Sequence, residues 1–307
     1  MDTKKKIVVI GSSNTDMVIK SDRLPKPGET ILGGSFYMNP GGKGANQAIA
    51  AVAAARLGGD VTFICKIGND IFGNETLEMF HKEKIDTTYV GITPQEPSGV
   101  ALINVDKKGE NCIVVASGAN GTLSIDDIQH AEPAIKQASI VIMQLETPIE
   151  SVTYAAKMAK KDGITVILNP APAPTQQLPD DLLANVDILI PNVTEAEIIS
   201  GMHITDDESA KEAIRYISSK GIKTVIITMG AKGALAYENN EFTHIPAFKV
   251  EAVDTTAAGD TFCGGLCVAL SEGKNLKDAI IFASKASSIS VTRMGAQVSI
   301  PLRKEIQ

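Results

Sequence analysis

Asp260 ends a run of small residues, 254–260 (DTTAAGD), that leads directly into an apolar segment typical of a helix. Small residues at a helix N-terminus can present successive backbone N–H groups to an anion, and so stabilise charge that develops on a transferring phosphoryl group. A carboxylate at the same helix start can accept the proton of an attacking hydroxyl. We interpret Ala257, Ala258 and Gly259 as an anion hole and Asp260 as a base. The alternative is an aspartate that only favours the start of the helix through its charge.

A second glycine-rich run, residues 41–44 (GGKG), leads into an Ala-rich segment. Consecutive glycines let backbone N–H groups approach a ligand closely, and the helix that follows favours an anion or a hydroxyl-rich ligand at its N-terminus. The run is not a Walker A loop, because Lys43 is followed by Gly44 and not by Ser or Thr. A purely structural glycine turn is the alternative. Asn46, one turn into an otherwise apolar helix, favours ligand binding.

Asn14 and Asp16 follow the first predicted strand of the chain. In parallel α/β sheets, ligands bind outside the carboxyl ends of the strands. We therefore expect these two polar side chains to lie where the hydroxyls of a sugar could be bound. Taken singly, each residue is equally typical of an Asx turn.

The elements that must position these residues alternate between short β-branched runs and amphipathic or Ala-rich segments. This order predicts an α/β fold with a mainly parallel central sheet and helices on both faces. The predicted strands are 7–10, 61–66, 140–143, 165–168, 188–190 and 224–228. The predicted helices are 45–57, 71–84, 150–161, 210–220, 259–271 and 276–291.

Two segments, 16–38 and 99–116, interrupt this alternation with paired strand patterns and no helix between them. The second contains a turn at 106–109 (DKKG) and is typical of a hairpin. We expect both segments to form a small inserted β-sheet that acts as a lid on the main sheet. Residues 1–307 are then one α/β domain that carries this lid.

The composition excludes several classes of partner. The chain has 307 residues and a net charge of −7 with no basic block, which argues against binding to nucleic acid or to an anionic membrane surface. Its apolar runs are shorter than the about 20 residues that span a bilayer, and the N-terminal residues do not resemble a signal peptide. Four cysteines without a CxxC pair indicate reduced thiols, with Cys263 and Cys267 buried. A cytoplasmic protein is predicted.

Residues 41–47 (GGKGANQ) and 254–260 (DTTAAGD) resemble the two signatures of the ribokinase-like (PfkB) carbohydrate kinases. The resemblance covers nearly the whole chain, because further segments match in the same order: 25–30 (PKPGET), 143–146 (MQLE), 169–173 (NPAPA), 191–197 (PNVTEAE) and 291–297 (VTRMGAQ). It implies in-line phosphoryl transfer from ATP to the 5-hydroxyl of D-ribose. It also implies a homodimer that forms through the lid.

The resemblance also implies a role for each matching residue. Contacts to ribose would come from Asn14, Asp16, Gly42, Lys43, Asn46 and Glu146, with Asp260 as the base. Asn192 and Glu195 would organise Mg²⁺ and the ATP phosphates, and the remaining nucleotide contacts would come from Thr228, Gly230, Gly233, Gly259 and Ser284. An activating K⁺ would be bound by Asp254, Thr256, Ser290, Arg293, Gly295 and Ser299, in part through carbonyl oxygens.

The sequence departs from the family pattern at two of these positions. Ala257 stands where many relatives have Gly, and we expect its methyl group to be tolerated only if its φ is negative. Ser284 stands where His or Asn often lies near the adenine, which leaves the base contacts and the preference for ATP open.

Two other functions remain open. One is a kinase for another sugar or for a nucleoside, although Phe36 and Tyr37 are the only aromatic residues in the first lid segment that could stack on a base. The other is a catalytically silent sugar-binding regulator. Against the regulator, a binder has no use for both a base at Asp260 and the metal-organising pair Asn192 and Glu195.

Overall fold

The computed structural model of the protein describes residues 6–51 and 58–306. Its strands are β1 (Lys6–Ile10), β2 (Asn14–Lys20), β3 (Ser35–Gly41), β4 (Asp60–Gly68), β5 (Val90–Thr93), β6 (Gly99–Val105), β7 (Asn111–Ala116), β8 (Ala138–Met143), β9 (Thr165–Leu168), β10 (Ile188–Leu189), β11 (Thr224–Thr228), β12 (Ala234–Glu238) and β13 (Glu241–Ile245). Its α-helices are α1 (Lys43–Ala51), α2 (Ile71–Lys82), α3 (Ile125–His130), α4 (Glu132–Gln137), α5 (Ile149–Lys161), α6 (Asp180–Leu183), α7 (Val193–Ser200), α8 (Asp207–Ser219), α9 (Ala258–Ser271) and α10 (Leu276–Ser290).

The central sheet has the strand order β13-β12-β11-β10-β9-β8-β1-β4-β5. Every neighbouring pair from β5 to β11 is parallel, and β12 and β13 add an antiparallel edge. Along β1, Ile7 and Val9 pack into a core with α1, α9 and α10, whereas Val8 and Ile10 pack into a second core with α5 and α8. A strand that is buried on both faces needs a continuous apolar run. The predicted parallel sheet with helices on both faces is confirmed.

All six predicted strands lie in this sheet, as β1, β4, β8, β9, β10 and β11. The six predicted helices correspond to α1, α2, α5, α8, α9 and α10, although residues 52–57 of the first prediction lie outside the described residues. The β12–β13 hairpin was not predicted. Its two-residue turn, Asn239 and Asn240, has φ values of 52° and 64°, which is the left-handed geometry of a tight hairpin turn that asparagine tolerates.

A second sheet has the strand order β3-β2-β6-β7. Strand β2 pairs antiparallel with β3 and parallel with β6, and β6 pairs antiparallel with β7. The two segments that interrupt the α/β alternation supply these four strands. Strand β2 begins four residues after β1 ends, and β3 ends two residues before α1 begins. The second sheet is therefore joined to the central sheet at the residues expected to bind a sugar.

Among the described residues, no helix is both long enough and apolar enough to cross a bilayer.

The backbone of Ala257 contradicts the expectation of a negative φ. Ala257 is the residue before α9 and has φ 58° and ψ 12°, in the left-handed region. For a residue with a Cβ atom this conformation costs about 1–2 kcal/mol, because the Cβ approaches the following carbonyl oxygen. The conformation reverses the chain so that helix α9 starts at Ala258. The sequence thus places a strained alanine in the candidate anion hole.

We expect Ala257→Gly to leave the protein equally stable or up to about 1 kcal/mol more stable. Glycine removes the left-handed strain, and this gain exceeds or balances the added freedom of the unfolded chain. Ala258→Gly is the matched control, since Ala258 is already helical, and it should lose about 0.5–1 kcal/mol. The free energy of unfolding in urea measures both. Equal destabilisation by the two substitutions would contradict the left-handed assignment.

Candidate active site

A cavity of about 200 Å³ lies where the carboxyl ends of the central strands meet α1, α7 and α9. Thirteen residues line it: Lys43, Asn169, Ala171, Ile190, Asn192, Glu195, Thr228, Thr255, Ala257, Ala258, Gly259, Asp260 and Cys263. The predicted anion hole, the predicted base and the predicted metal-organising pair therefore face one space. This is the position outside the strand ends where ligands bind in open α/β sheets.

Asp260 lies in the first turn of α9, and only 7% of it is exposed. Its Oδ2 accepts a hydrogen bond of 2.9 Å from Asn46 Nδ2, and its Oδ1 accepts one of 3.1 Å from Gln47 Nε2. Burial raises the pKa of Asp260, while the nearby charge of Lys43 and the amides of Asn46 and Gln47 act in the opposite direction. The carboxylate is desolvated but oriented by helix α1.

Lys43 begins α1 and brings the only ammonium group into the cavity lining. Burial acts to lower the pKa of Lys43, but the carboxylates of Asp260, Glu146 and Glu195 outweigh it, so that the pKa is raised and the side chain stays charged. The backbone N–H of Lys43 donates to Glu146 Oε2 at 3.0 Å. The same oxygen accepts a hydrogen bond from the hydroxyl of Ser12. The predicted sugar residues Lys43 and Glu146 are thus in direct contact.

Asp16 lies on β2, paired with Asn39 on β3 and beside Gly41, the last residue of β3. Burial, followed by the negative charges of Glu146 and Asp260, raises the pKa of Asp16 to about 7, against a lowering effect of Lys43. A Cβ atom on residue 41 would stand 2.3 Å from either carboxylate oxygen of Asp16, so only Gly41 fits there. The carboxylate of Asp16 therefore packs directly against the backbone of Gly41. A buried carboxyl group with a raised pKa is typical of functional sites, so Asp16 is a functional candidate.

Asn14 and Gly42 complete the predicted sugar residues. Asn14 Oδ1 accepts a hydrogen bond of 2.8 Å from Asn120 Nδ2, and Asn120 Oδ1 accepts one of 2.8 Å from the backbone N–H of Ser13. Gly42 has φ 88°. Asn120 was not predicted from the sequence, because it lies 106 residues after Asn14 in a 3₁₀ turn, Gly118–Thr122.

Asn192 and Glu195 form a capping box at the start of α7. The backbone N–H of Glu195 donates to Asn192 Oδ1, and the backbone N–H of Asn192 donates to Glu195 Oε2, both at 2.8 Å. Burial raises the pKa of Glu195, although the Asn192 N–H and Lys43 oppose the shift. The motif therefore holds the helix end and at the same time presents polar atoms to the cavity.

The predicted nucleotide residues are only partly brought together. Thr228, at the end of β11, lines the cavity. Gly230 and Gly233 lie in the turn after β11, with φ values of 55° and 96°, and are not part of the cavity lining. Ser284 is half-buried on α10 and is likewise absent from the lining.

The six residues predicted to bind a monovalent cation form two hydrogen-bonded groups of three, and the backbone N–H of Arg293 joins the second by donating to the Ser290 carbonyl at 3.0 Å. The backbone N–H groups of Thr256 and Gly295 donate to the two carboxylate oxygens of Asp254, both at 2.9 Å. Partial burial acts to raise the pKa of Asp254. These two hydrogen bonds and one from the hydroxyl of Thr256 outweigh burial, so that the pKa is lowered. Ser290 Oγ lies 2.7 Å from Ser299 Oγ. The side chain of Arg293 instead pairs with Glu305.

Thr261 joins the second of these groups to the anion hole. Its hydroxyl donates to the carbonyl oxygen of Ala257 at 2.8 Å and lies 3.4 Å from Ser290 Oγ. Carboxylate, hydroxyl and carbonyl oxygens are the donors that a hard cation requires. Within residues 6–51 and 58–306, no group of three or more His, Cys, Asp and Glu side chains is placed to hold a metal ion. The residues present therefore fit an oxygen-bound K⁺ and a Mg²⁺ that is held largely by other ligands.

Several residues of the site were not predicted from the sequence. They are Ser12, Gln47, Asn120, Gln144, Asn169, Thr255 and Cys263. Gln144 and Asn169 each follow a buried strand directly, which was an available signal. Cys263, predicted to be a buried thiol, is buried and free, but it also lines the cavity one turn after Asp260.

Comparison with known proteins agrees with this geometry. The profile of the pfkB family of carbohydrate kinases matches residues 4–303. The chain is 49% identical to a ribokinase of Haemophilus influenzae over 302 residues, covering 98% of this chain and 97% of that protein. It is 40% identical to a deoxyribokinase of Salmonella typhi, covering 96% of this chain and 95% of that protein.

A solved structure of an Arabidopsis thaliana ribokinase, complexed with ribose and ATP, superposes with a TM-score of 0.90 at 33% identity. The match covers 99% of this chain and 98% of that one. The family profile and the superposed structure thus agree over nearly the full length of the chain. The chain belongs to the pfkB family of carbohydrate kinases.

Proposed function

We propose that this protein is a ribokinase, which transfers the γ-phosphoryl group of ATP to the 5-hydroxyl of D-ribose. The observation that carries the proposal is the buried Asp260 carboxylate at a helix N-terminus, with the Lys43 ammonium in the same cavity. This pairing provides a base and a positive charge beside a set of backbone N–H groups. The similarity to ribokinases named above supports ribose as the substrate.

In the proposed reaction, Asn14, Asp16, Gly42, Lys43, Asn46 and Glu146 bind the hydroxyls of ribose. Asp260 accepts the proton of the 5-hydroxyl while the oxygen of that hydroxyl attacks the γ-phosphorus of ATP. The bond between that phosphorus and the bridging oxygen breaks, and ADP leaves. The backbone N–H groups of residues 257, 259 and 260 stabilise the charge on the transferring group, because donors fixed before the reaction need no reorganisation. The N–H of Ala258 donates to the Thr255 carbonyl at 3.2 Å and joins them when the phosphoryl group replaces that bond.

Two cations complete the proposed machinery. Asn192 and Glu195 would hold Mg²⁺ with the phosphates of ATP, where it would neutralise developing charge. Asp254, Thr256, Ser290, Arg293, Gly295 and Ser299 would surround K⁺. The Thr261 hydroxyl, which touches both the Ala257 carbonyl and Ser290, supports a link between this region and the anion hole.

We further propose that residues 1–307 form one domain and that the second sheet, from segments 16–38 and 99–116, is a lid over the cavity. Strand β7 is exposed along its whole length, and large apolar side chains stand open on this sheet, among them Phe36 at 60% and Val114 at 65%. Exposed apolar patches and open strand edges are typical of surfaces that another chain covers. A homodimer through the two lids would cover them.

A cytoplasmic location completes the proposal. The four cysteines are free, as is usual in a reducing compartment.

The function predicts that the purified protein releases ADP from Mg·ATP when D-ribose is added. A coupled ADP-release assay across ribose, deoxyribose, fructose and adenosine, each with and without K⁺, measures it. We expect the highest kcat/KM for ribose. Highest activity with deoxyribose would favour the alternative represented by the deoxyribokinase relative. Saturable sugar binding without ADP release would support the regulator.

The same assay tests the role of Asp260. Asp260→Asn should keep the fold and the affinity for ribose but lower kcat by about 10²–10⁴-fold, the usual contribution of a positioned base. Asp278→Asn is the matched control, because Asp278 also lies in the first turn of a helix, α10. If both variants keep near-normal kcat, Asp260 only favours the start of its helix.

The raised pKa of Asp16 predicts that ribose binding depends on pH. Only the carboxylate accepts two hydroxyl hydrogen bonds, so affinity is full above the pKa and lost as the pH falls through about 7. Between pH 8 and pH 6 we expect the Kd for ribose to rise about 10-fold. Calorimetric titration measures it. Asp16→Asn should bind more weakly but with little pH dependence; an equally steep dependence in that variant would assign the titration to another group.

The proposed dimer predicts that a charge on β7 separates the subunits. Val114→Asp should shift the mass in solution from twice the chain mass to 32.4 kDa, because the buried carboxylate would lack a partner. Ile71→Asp is the matched control, since Ile71 is 66% exposed on α2, outside the lid. Light scattering after gel filtration gives both masses. A wild-type protein that runs at 32.4 kDa would refute the dimer.

A further inference from the structure

A chain of three side-chain amides, from Asn169, Gln47 and Gln144, leads to the carboxylate of Asp260. Asn169 Nδ2 donates to the carbonyl oxygen of Ile190 at 2.8 Å, and Asn169 Oδ1 accepts from Gln47 Nε2 at 3.0 Å. Gln144 Nε2 donates to Gln47 Oε1 at 2.6 Å. The second N–H of Gln47 then donates to Asp260 Oδ1 at 3.1 Å. Gln47 and Gln144 are completely buried, so water does not reach the hydrogen bond between these two amides.

The direction of this chain is set by the Ile190 carbonyl. A carbonyl oxygen only accepts hydrogen bonds, so Asn169 must turn its NH₂ group towards Ile190. Its oxygen then faces Gln47, which must present NH₂ in return. Gln144 reinforces the same orientation, because it donates to the Gln47 oxygen. Asp260 therefore always meets a donor from Gln47 and never an acceptor.

This arrangement bears on the protonation of Asp260. Gln47 donates to Oδ1, so a proton on that oxygen would point at a fixed N–H group and lose its hydrogen bond, while Asn46 donates to Oδ2. Charge alone does not offset the effect of burial on the pKa of Asp260. Among the described residues, Lys43 is the one cation that faces it, against the three carboxyl groups of Asp16, Glu146 and Glu195; the neutral thiol of Cys263 faces it as well.

We propose that Gln47, oriented by Asn169 and Gln144, is a positioning residue that keeps Asp260 ionised and directed at the reacting hydroxyl. Through this relay, the carboxyl ends of β8, β9 and β10 hold the base on α9 in place. The inference rests on the proposed kinase activity, because Asp260 must be ionised to accept the proton of the 5-hydroxyl in that reaction.

Gln47→Met tests the proposal, since methionine has a similar length and no donor. We expect the Kd for ribose to change by less than about threefold, because Gln47 does not line the cavity, while kcat falls about 10-fold or more. The acid limb of kcat at saturating ribose and ATP should also move to higher pH, because an Asp260 without this donor is protonated more easily. The ratio of kcat at pH 8 to kcat at pH 6 should therefore rise about threefold or more.

Two further variants separate this role from a loss of packing. Gln144→Met removes one of the two groups that orient Gln47, leaves Asn169 in place, and should move the acid limb in the same direction by less. Ser151→Ala removes a buried hydrogen bond to the Leu123 carbonyl, in the other core, and should leave the limb unchanged. If Gln47→Met does not fold, Gln144→Met carries the test.

The outcomes for the two hypotheses are distinct. A wild-type protein that does not phosphorylate ribose refutes the proposed function. A wild-type enzyme that is active, with an acid limb that stays in place in Gln47→Met and Gln144→Met, overturns the relay alone. A uniform loss of kcat at all pH values overturns it as well, because that is the signature of a general structural defect.

Discussion

The burial of the Asp260 carboxylate is the constraint on which the rest of the site depends. An ionised carboxyl group with 7% exposure is costly unless donors and a counter-charge surround it. The fold supplies them from one helix: Lys43, Asn46 and Gln47 lie within the first two turns of α1. Helices α1 and α9 must therefore approach closely, and small residues permit it. A Cβ atom on Gly264 would stand 2.4 Å from the Cβ of Ala50.

The parts of the fold that could be predicted depend on local patterns. The run of residues 7–10 is apolar throughout because β1 is buried on both faces, and the alternation of such runs with helical segments indicated a parallel sheet. The glycine run before α1 and the small residues before α9 could likewise be recognised in the sequence, because the backbone at each helix start requires small residues. Strands β12 and β13 were missed because their pattern is partly polar, and only the Asn239–Asn240 turn indicated them.

The remainder of the site could not be predicted, because it is a product of tertiary contact. Gln47 and Asp260 are 213 residues apart, and nothing in the spacing says which amide faces which carboxylate. The left-handed φ of Ala257 was missed for a related reason. Alanine does not favour a left-handed backbone, so its presence gave no reason to predict one. The surrounding structure imposes this conformation on Ala257 against the local preference.

The same constraint explains how a chain with a net charge of −7 can bind a nucleotide. The cavity lining holds one lysine against two carboxylic acids, Glu195 and Asp260, so its side chains alone would repel a polyphosphate. Attraction must come from backbone N–H groups at the start of α9 and from cations that arrive with the phosphates. The residues proposed to bind sugar lie at the junction between the second sheet and α1, since β3 ends at Gly41 and α1 begins at Lys43. A movement of the second sheet must move Lys43 and, through Asn46 and Gln47, the donors of Asp260.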